Sequence, residues 1–416
     1  MRPVDYIALS IPIFFALIGV ELLYARWRRE RLYRLNDSLS DLSTGILDQV
    51  LGVFTKAIIV GAYAAVWERF RVSEWSASSA WTWVLCFLGV DFFYYWFHRV
   101  SHESNLPWGA HIVHHSSEEF NLSVALRQGA FQPLFSFVFY LPLAWLGFPP
   151  VVFLTCSSFD TLYQFWIHTR AIKKLGPMEW IFNTPSHHRV HHGCDAKYVD
   201  KNYAGTLIVW DRMFGSFQPE EEEPVYGITK PLASWNPVWA NVHHYVDLAR
   251  ASRSAPSFGE AIKLWWKGPG WQPAWVKEAL YGRPFVSPLS HGPAGKYDAR
   301  PPGGLTGYAL LQFVVALLAA VFLLFRAEHL AAAARGLLAL WVVWSVVAVG
   351  ALFDRRGWAL RCELARLGAL AVLAAAAASR ALEGPLFGGT VLLALVFAAF
   401  SAAWLLRFRE QLVPAT

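Results

Sequence analysis

Long apolar blocks separated by polar breaks set the pattern of this chain. A helix needs about 20 mainly apolar residues to cross the hydrocarbon core of a bilayer. Residues 6–24, 46–67 and 81–97 each read as one such span. A longer block, 131–167, is interrupted by Gly147-Phe148-Pro149-Pro150. Two prolines end any helix that runs into them, so the block predicts two helices and a tight turn. Four more spans fill the last quarter, at 305–325, 337–353, 364–378 and 386–406. Between the halves, 170–302 is polar and rich in Trp, Pro and Gly, and no span fits there. Within it, 258–271 mixes Lys263 and Lys267 with Trp265, Trp266 and Trp271, which suits either a helix lying in the membrane interface or an amphipathic surface helix.

Composition agrees with the pattern. Of 416 residues, 55% are hydrophobic and 16% charged, against about 25% charged in ordinary soluble domains. The mean hydropathy is +0.33. The expected fold is therefore all-α and polytopic, in three parts: N-terminal membrane helices over 1–80, a middle region with a polar cap over 81–302, and a four-helix membrane region over 303–416. The net charge of +6 does not point to nucleic acid, because the basic residues sit beside apolar blocks. Arg26, Arg28, Arg29, Arg31 and Arg34 follow the first span, as in cytoplasmic loops. With that loop inside, Arg355, Arg356, Arg361, Arg366, Arg407 and Arg409 also fall inside, and only Arg326 and Arg335 face outward. The run Glu220–Glu223 reads as a solvated loop. The four cysteines form no CxxC pair, so neither a disulfide framework nor a thiolate metal site is expected. No removable signal peptide is read at the N-terminus.

The chemistry lies in the histidines. Three groups stand out among fourteen: His98-x-x-x-His102, His111-x-x-His114-His115, and His188-x-x-His191-His192. Residues three and four apart share a helix face, so each group projects two or three imidazoles together, and converging groups build a polynuclear nitrogen site. A mononuclear zinc hydrolase commonly has HExxH, and His102-Glu103 does not continue into that motif. Membrane haem takes one axial histidine per helix rather than neighbours on one turn. A metal transporter places ligands within spans, whereas these stand at and beyond span ends. Imidazole suits iron, zinc, copper and nickel alike, so the spacing leaves the metal open. A dinuclear site at the membrane face, where oily substrate and dissolved oxygen meet, favours oxidation of a lipid C–H bond.

The same groups, with "HHSSEEFNLSVALRQ" (114–128), "YQFWIHT" (163–169), "LGPMEWIFNTPSHHRVHHG" (175–193) and "DKNYAGTLIVWDRMFGSF" (200–217), resemble the fatty acid hydroxylase / sterol desaturase superfamily of membrane di-iron oxidases. Within it they resemble the branch that hydroxylates glyceryl ethers. The resemblance covers 81–217 strongly and the first two spans loosely. It implies that His98, His102, His111, His114, His115, His188, His191 and His192 ligate two irons, with His168 as a further ligand. Related hydroxylases often carry HxxxH at that last position; Gln164 departs from it, which would leave one iron a nitrogen short. The branch also relies on a glutamate that falls on Glu118, with Glu119 as the neighbouring alternative. His187 is expected near the site or substrate rather than as a ligand. By resemblance the reductant is tetrahydrobiopterin. No GxGxxG dinucleotide fingerprint is present, so electrons come from a small reductant or a partner protein.

Asp91 stands two helical turns before His98, placed either to orient a ligand ring or to pair with Arg99. Asp211 reads as a fold residue, pairing with Arg212 or capping a turn. His243, His244, His291 and His329 have no ligand spacing. The combined expectation is an integral membrane di-iron oxygenase that uses O2 on a lipid, best an ether lipid, with its site and cap facing the cytoplasm. A sterol, carotenoid or acyl-lipid hydroxylase or desaturase is the alternative, and a non-enzymatic metal-handling protein the weaker rival.

Overall fold

The computed structural model describes residues 6–281, 295–379 and 385–412. It is nearly all helical; the described residues form no strand, only two isolated bridges. The first helices are α1 (Tyr6–Arg28), α2 (Leu35–Phe70), α3 (Ala80–Glu103) and α4 (Asn105–His115). They are followed by α5 (Gln132–Trp145), α6 (Pro150–Trp166), α7 (Pro185–His191) and α8 (Val209–Phe214). Next come α9 (Pro237–Ser252), α10 (Phe258–Trp266) and α11 (Ala274–Tyr281). The C-terminal helices are α12 (Gly303–Arg326), α13 (Ala332–Phe353), α14 (Ala359–Ser379), α15 (Pro385–Leu406) and the short α16 (Arg409–Leu412). Among the described residues five helices are long and apolar enough to cross a membrane: α1, α2, α3, α12 and α13. The protein is an integral membrane protein.

Two compact units share the chain, one from the described residues of Met1–Leu232 and Trp239–Lys296, the other from those of Ala233–Val238 and Tyr297–Thr416. In the first, α2, α3, α5 and α6 enclose an apolar core of Tyr63, Cys86, Val90, Leu143, Val152 and Phe153. Tyr63 and Phe153 stack with ring centroids 4.2 Å apart. The break between α5 and α6 falls at the predicted Gly-Phe-Pro-Pro. Gly147 takes φ +95° there, and a Cβ on it would lie 1.9 Å from the Ser73 carbonyl oxygen. Only glycine fits that turn.

Helix α2 begins eleven residues before the expected span. At about 1.5 Å per residue its 36 residues run roughly 54 Å, against a hydrocarbon core of about 30 Å. Its polar first third therefore stands clear of the apolar layer. Asp37, Ser40, Asp41, Ser43 and Thr44 are nonetheless buried, because they pack on the polar turn after α4. Ser117 donates to Asp37 and Ser123 to Asp41, both at 2.8 Å. On α1, buried Glu21 accepts from the Leu122 N–H at 2.9 Å and from the hydroxyls of Tyr33 and Thr169. Hydropathy misses such positions because it scores a polar residue without knowing its partner.

Three charge readings change. Arg366 is not a loop charge: it is fully buried on α14, bonded to Glu363 at 2.7 Å, Gln312 at 2.6 Å and Ser345 at 3.1 Å. Gln312 in turn donates to Ser401 at 2.9 Å, so one satisfied network ties α12, α13, α14 and α15. Buried charges persist in such places only when paired in this way. Glu220 is not simply solvated either, since both its oxygens take Arg189 at 2.6 Å. Arg34 turns inward, onto Glu118 at 3.2 Å and Glu119 at 2.8 Å. The amphipathic segment near 258–271 is helical only to Trp266, because Gly268-Pro269-Gly270 follows; Leu264 is buried while Phe258 and Trp266 are exposed. The four cysteines are unpaired.

Candidate metal centre

The histidines stand where helices end. His98 and His102 occupy the last turns of α3, and after a one-residue break at Ser104, α4 carries His111, His114 and His115. The break is pinned: the Asn105 N–H donates to the Lys267 carbonyl at 2.9 Å and its side chain to the Leu264 carbonyl at 2.9 Å. His168 directly follows α6, and α7 opens with Pro185 in its first turn and carries His188 and His191, with His192 at its cap. Arg189 on α7 reaches the carbonyls of Thr169 and Ile172 at 2.9 and 2.8 Å, which locks α7 against the chain beyond α6.

Nine histidines converge in two buried groups. One holds His98, His102, His111, His115 and His191; the other holds His114, His168, His188 and His192. Within each group the available ligand atoms lie within 4.8 Å of one another. The sequence clusters thus do not map one to one onto the groups. In each HxxHH the i, i+4 pair faces one group and the middle histidine faces the other: His111 and His115 against His114, His188 and His192 against His191. This follows from about 100° of helical rotation between neighbouring residues. The two groups touch, with the rings of His115 and His192 stacked at 4.4 Å.

The hydrogen bonds fix which nitrogen each ring turns inward. Nδ1 of His98, His114, His168 and His191 lies 2.7–2.9 Å from the carbonyls of Tyr203, Arg127, Gln164 and Lys201 respectively. His111 Nδ1 lies 2.7 Å from Gln132 Oε1. A carbonyl only accepts, so each Nδ1 must donate, and each Nε2 then carries a lone pair. Those lone pairs face one another, His98 to His111 at 2.8 Å and His114 to His168 at 3.1 Å, and His188 Nε2 lies 2.9 Å from His168 Nε2. Two lone pairs cannot hydrogen bond. Nitrogens bound at right angles about 2.1 Å from one ion lie about 3.0 Å apart, so a cation between them resolves the contact. Buried Nε2 atoms of His102, His191 and His192 have no hydrogen-bond partner, as ligand atoms would not. Burial pushes His114 down to about 4 and His191 to about 3, so these rings are neutral at physiological pH. The residues fit two divalent metal ions.

Other expected residues are placed differently. Glu118 and Glu119 lie outside both groups. Glu118 pairs with Arg34, and its Cγ sits 3.5 Å from where a Cβ on Gly227 would be. Glu119 is surrounded by Arg34 at 2.8 Å, Lys296 at 2.8 Å and Arg170 at 3.5 Å. Asp91 neither orients a ligand ring nor pairs with Arg99, which takes Glu103. It accepts from the N–H groups of Thr206 and Leu207 and from Trp210, at 2.7–3.1 Å. Asp211 caps the backbone of Tyr203 and Ala204 at 2.7 and 2.8 Å, not Arg212, and thereby holds the carbonyl that receives His98. Gln164 turns its side chain to Asp160 and joins neither group. His187 borders a separate hollow with Lys174 and Arg212. His329 lies in a short turn after α12, and His291 lies outside the described residues. The residues that sequence missed are Gln132 and Arg127, together with the loop carbonyls; every residue has a carbonyl, so no side-chain signal marks these.

A cavity of about 340 Å³ opens against the histidines. His102, His115, His191 and His192 form one wall, and Trp108, Ile112, Leu248, Leu264 and Val276 line its apolar sides. His243, His244, Asp247 and Lys230 add a polar patch.

Comparison with known proteins agrees with this geometry. The fatty acid hydroxylase family model matches residues 83–216, the stretch that carries all nine clustered histidines. The chain is 41% identical over 364 residues to alkylglycerol monooxygenase of Xenopus tropicalis, covering 87% of this chain and 80% of that protein. It is 39% identical over 368 residues to the Danio rerio protein of the same name, with the same coverage. To the Homo sapiens one it is 45% identical over 271 residues, 65% of this chain and 60% of that protein. No solved structure matches the chain. With a relative this similar over four-fifths of its length, and with the fatty acid hydroxylase model over the stretch that carries the histidine groups, the chain belongs to the alkylglycerol monooxygenase family.

Proposed function

We propose that this protein is a di-iron, O2-dependent monooxygenase that hydroxylates the carbon beside the ether oxygen of a glyceryl ether. The observation that carries the reading is the pair of buried histidine groups at the end of an otherwise largely apolar cavity. The names of the similar proteins support the same substrate class. In the net reaction one oxygen atom enters the C–H bond and the other leaves as water, with two electrons and two protons from a reductant. The hemiacetal then splits to glycerol and a fatty aldehyde.

His98, His102, His111, His115 and His191 would hold one iron, and His114, His168, His188 and His192 the other. Iron bound there supplies the oxygen activation that no side chain can. The chain's own residues do the rest. Carbonyls of Tyr203, Arg127, Gln164 and Lys201 keep His98, His114, His168 and His191 in the tautomer that presents Nε2. Trp108, Ile112, Leu264 and Val276 hold the alkyl chain and exclude water from the reacting carbon. Glu118, beside cavity-lining Gly227, acts in turnover rather than in holding metal. The reductant is tetrahydrobiopterin, with a redox partner protein as the other source. In this reading residues 1–80 anchor the catalytic region 81–302, and 303–416 form the C-terminal membrane region.

Purified, iron-loaded protein should bind about two metal ions per chain, since nine imidazoles exceed what one ion accepts. Offered glyceryl ether, sterol and acyl lipid with a tetrahydropterin, it should consume oxygen and release fatty aldehyde from the ether alone. Oxidised sterol or acyl product without aldehyde would move the assignment to the alternative class. Full activity at one metal per chain would overturn the dinuclear site.

The site faces the cytoplasm in this reading, because the basic loop after α1 lies on the side where α3 ends. A cysteine at exposed Glu221, in protein cleared of native cysteines, should react with an impermeant thiol reagent only when the cytoplasmic face is open. Labelling from outside intact cells would reverse the orientation.

A further inference from the structure

We propose that His243 reads a free hydroxyl on the substrate's headgroup, so that the cavity selects lipids with hydroxyls close to the reacting carbon. This deepens the function proposed above and rests on reading the cavity as the lipid site. His243 lies on α9, away from both metal groups in sequence, and lines the same cavity as His102, His115, His191 and His192. It is 7% exposed. Its Nδ1 lies 2.9 Å from the Ala240 carbonyl and must donate to it, which leaves Nε2 as an acceptor. That Nε2 is buried and has no hydrogen-bond partner. Native structures rarely leave a buried acceptor unmet.

Its neighbours are already satisfied. His244 Nε2 lies 3.0 Å from Asn105 Oδ1, and Asp247 takes Lys230 at 2.5 Å. Among the described residues lining the cavity outside the histidine groups, His243 alone has a buried side-chain nitrogen or oxygen without a partner. Burial lowers the basicity of its ring, which keeps Nε2 unprotonated and able to accept. An O–H is the donor that fits. A glyceryl ether carries hydroxyls on the second and third carbons from the ether oxygen. One can donate to His243 while the Lys230–Asp247 pair offers donor and acceptor to the other. An alkyl tail among Trp108, Ile112 and Leu264 then leaves the ether carbon between the polar patch and the histidine wall.

The test is equilibrium binding of two radiolabelled ligands to the full-length protein in detergent: a 1-O-alkylglycerol and the alkyl propyl ether of equal chain length, which lacks both hydroxyls. Wild-type protein should bind the alkylglycerol roughly tenfold more tightly or better, as expected when a buried acceptor is left unpaired. His243→Leu should shrink that gap to about threefold or less at unchanged metal content, and His243→Gln, which keeps an acceptor, should restore part of it. Equal binding of the two ligands by wild type, which needs no variant to fold, would overturn the proposal; so would an undiminished gap in His243→Leu. A gap that depends on His243 in a protein that binds the ether but never oxidises it would uphold this inference and overturn the proposed function.

Discussion

Replacing His192 by Ala should slow glyceryl-ether turnover at least about a hundredfold and remove about one iron per chain. The group it belongs to has four members, so its loss leaves three nitrogens where the other group has five. Even residues that only support a metal ligand cost about 10- to 100-fold when lost, and a ligand costs more. His192 also stacks on His115 of the other group and lines the cavity, so the defect reaches both metals' surroundings. Iron analysis and aldehyde release on the same preparation read the two effects. Two controls sharpen the result. His329→Ala should change neither quantity, because that residue sits in a turn after α12. Glu118→Gln should lower turnover more than metal content. Full activity in His192→Ala would remove the second group from the reaction.

Arg127→Met should destabilise the protein by about 3–5 kcal/mol, the range for breaking one partner out of a buried ion pair. Arg127 is 1% exposed. Its guanidinium donates to the Val113 carbonyl at 2.6 Å, to Ser40 at 3.0 Å and to Asp41 at 3.2 Å, joining α4 to the polar third of α2. Its own carbonyl receives His114 Nδ1 at 2.8 Å. Methionine fills much of the volume but leaves Asp41, itself fully buried, without its cation. Thermal unfolding in detergent should show the loss, and iron should fall with it where the loosened turn carries the backbone carbonyl at 127 away from His114. Adding Asp41→Asn should recover part of the stability, since it removes the stranded charge. An unfolding midpoint equal to wild type would show that the turn after α4 is held by other contacts.

The extent of these effects depends on features that are unevenly visible in the chain. Hydropathy located all five described helices that are long and apolar enough to cross a membrane, because crossing a bilayer demands a local run of apolar residues whatever the rest of the protein does. The Gly-Phe-Pro-Pro break was equally plain, since proline and a positive φ act on their own backbone. Residues 170–302 read as polar and span-free, and no helix among the described residues there is longer than the 16-residue α9. Where polar residues are hidden, hydropathy failed: it began α2 eleven residues late and treated Arg366 as a loop charge. Both errors have one cause. A charge that finds its partner from a distant helix looks, in sequence, like a charge that finds water.

The candidate site divides along the same line. Helical spacing by itself determined that three histidine clusters each present several imidazoles, and that they stand at span ends. It could not determine which imidazoles fall into one group. That was decided by the approach of α7 and the end of α6 to α3 and α4, which sorts the rings into groups of five and four. The tautomers were decided by loop carbonyls, which every residue possesses and no sequence pattern marks. Asp91 looked placed to orient a ligand ring or to pair with Arg99, and folding turned it to the N–H groups of Thr206 and Leu207 and to Trp210 instead; Asp211, read as a fold residue, caps the backbone of Tyr203 and Ala204. His243 had no spacing to recommend it, yet α9 brings it to the cavity that the metal histidines close. Local order along one helix is written in the order of its residues. Contacts between helices depend on where each one packs, and the physical reason is that a side chain's partner is chosen by distance in space, not by distance along the chain.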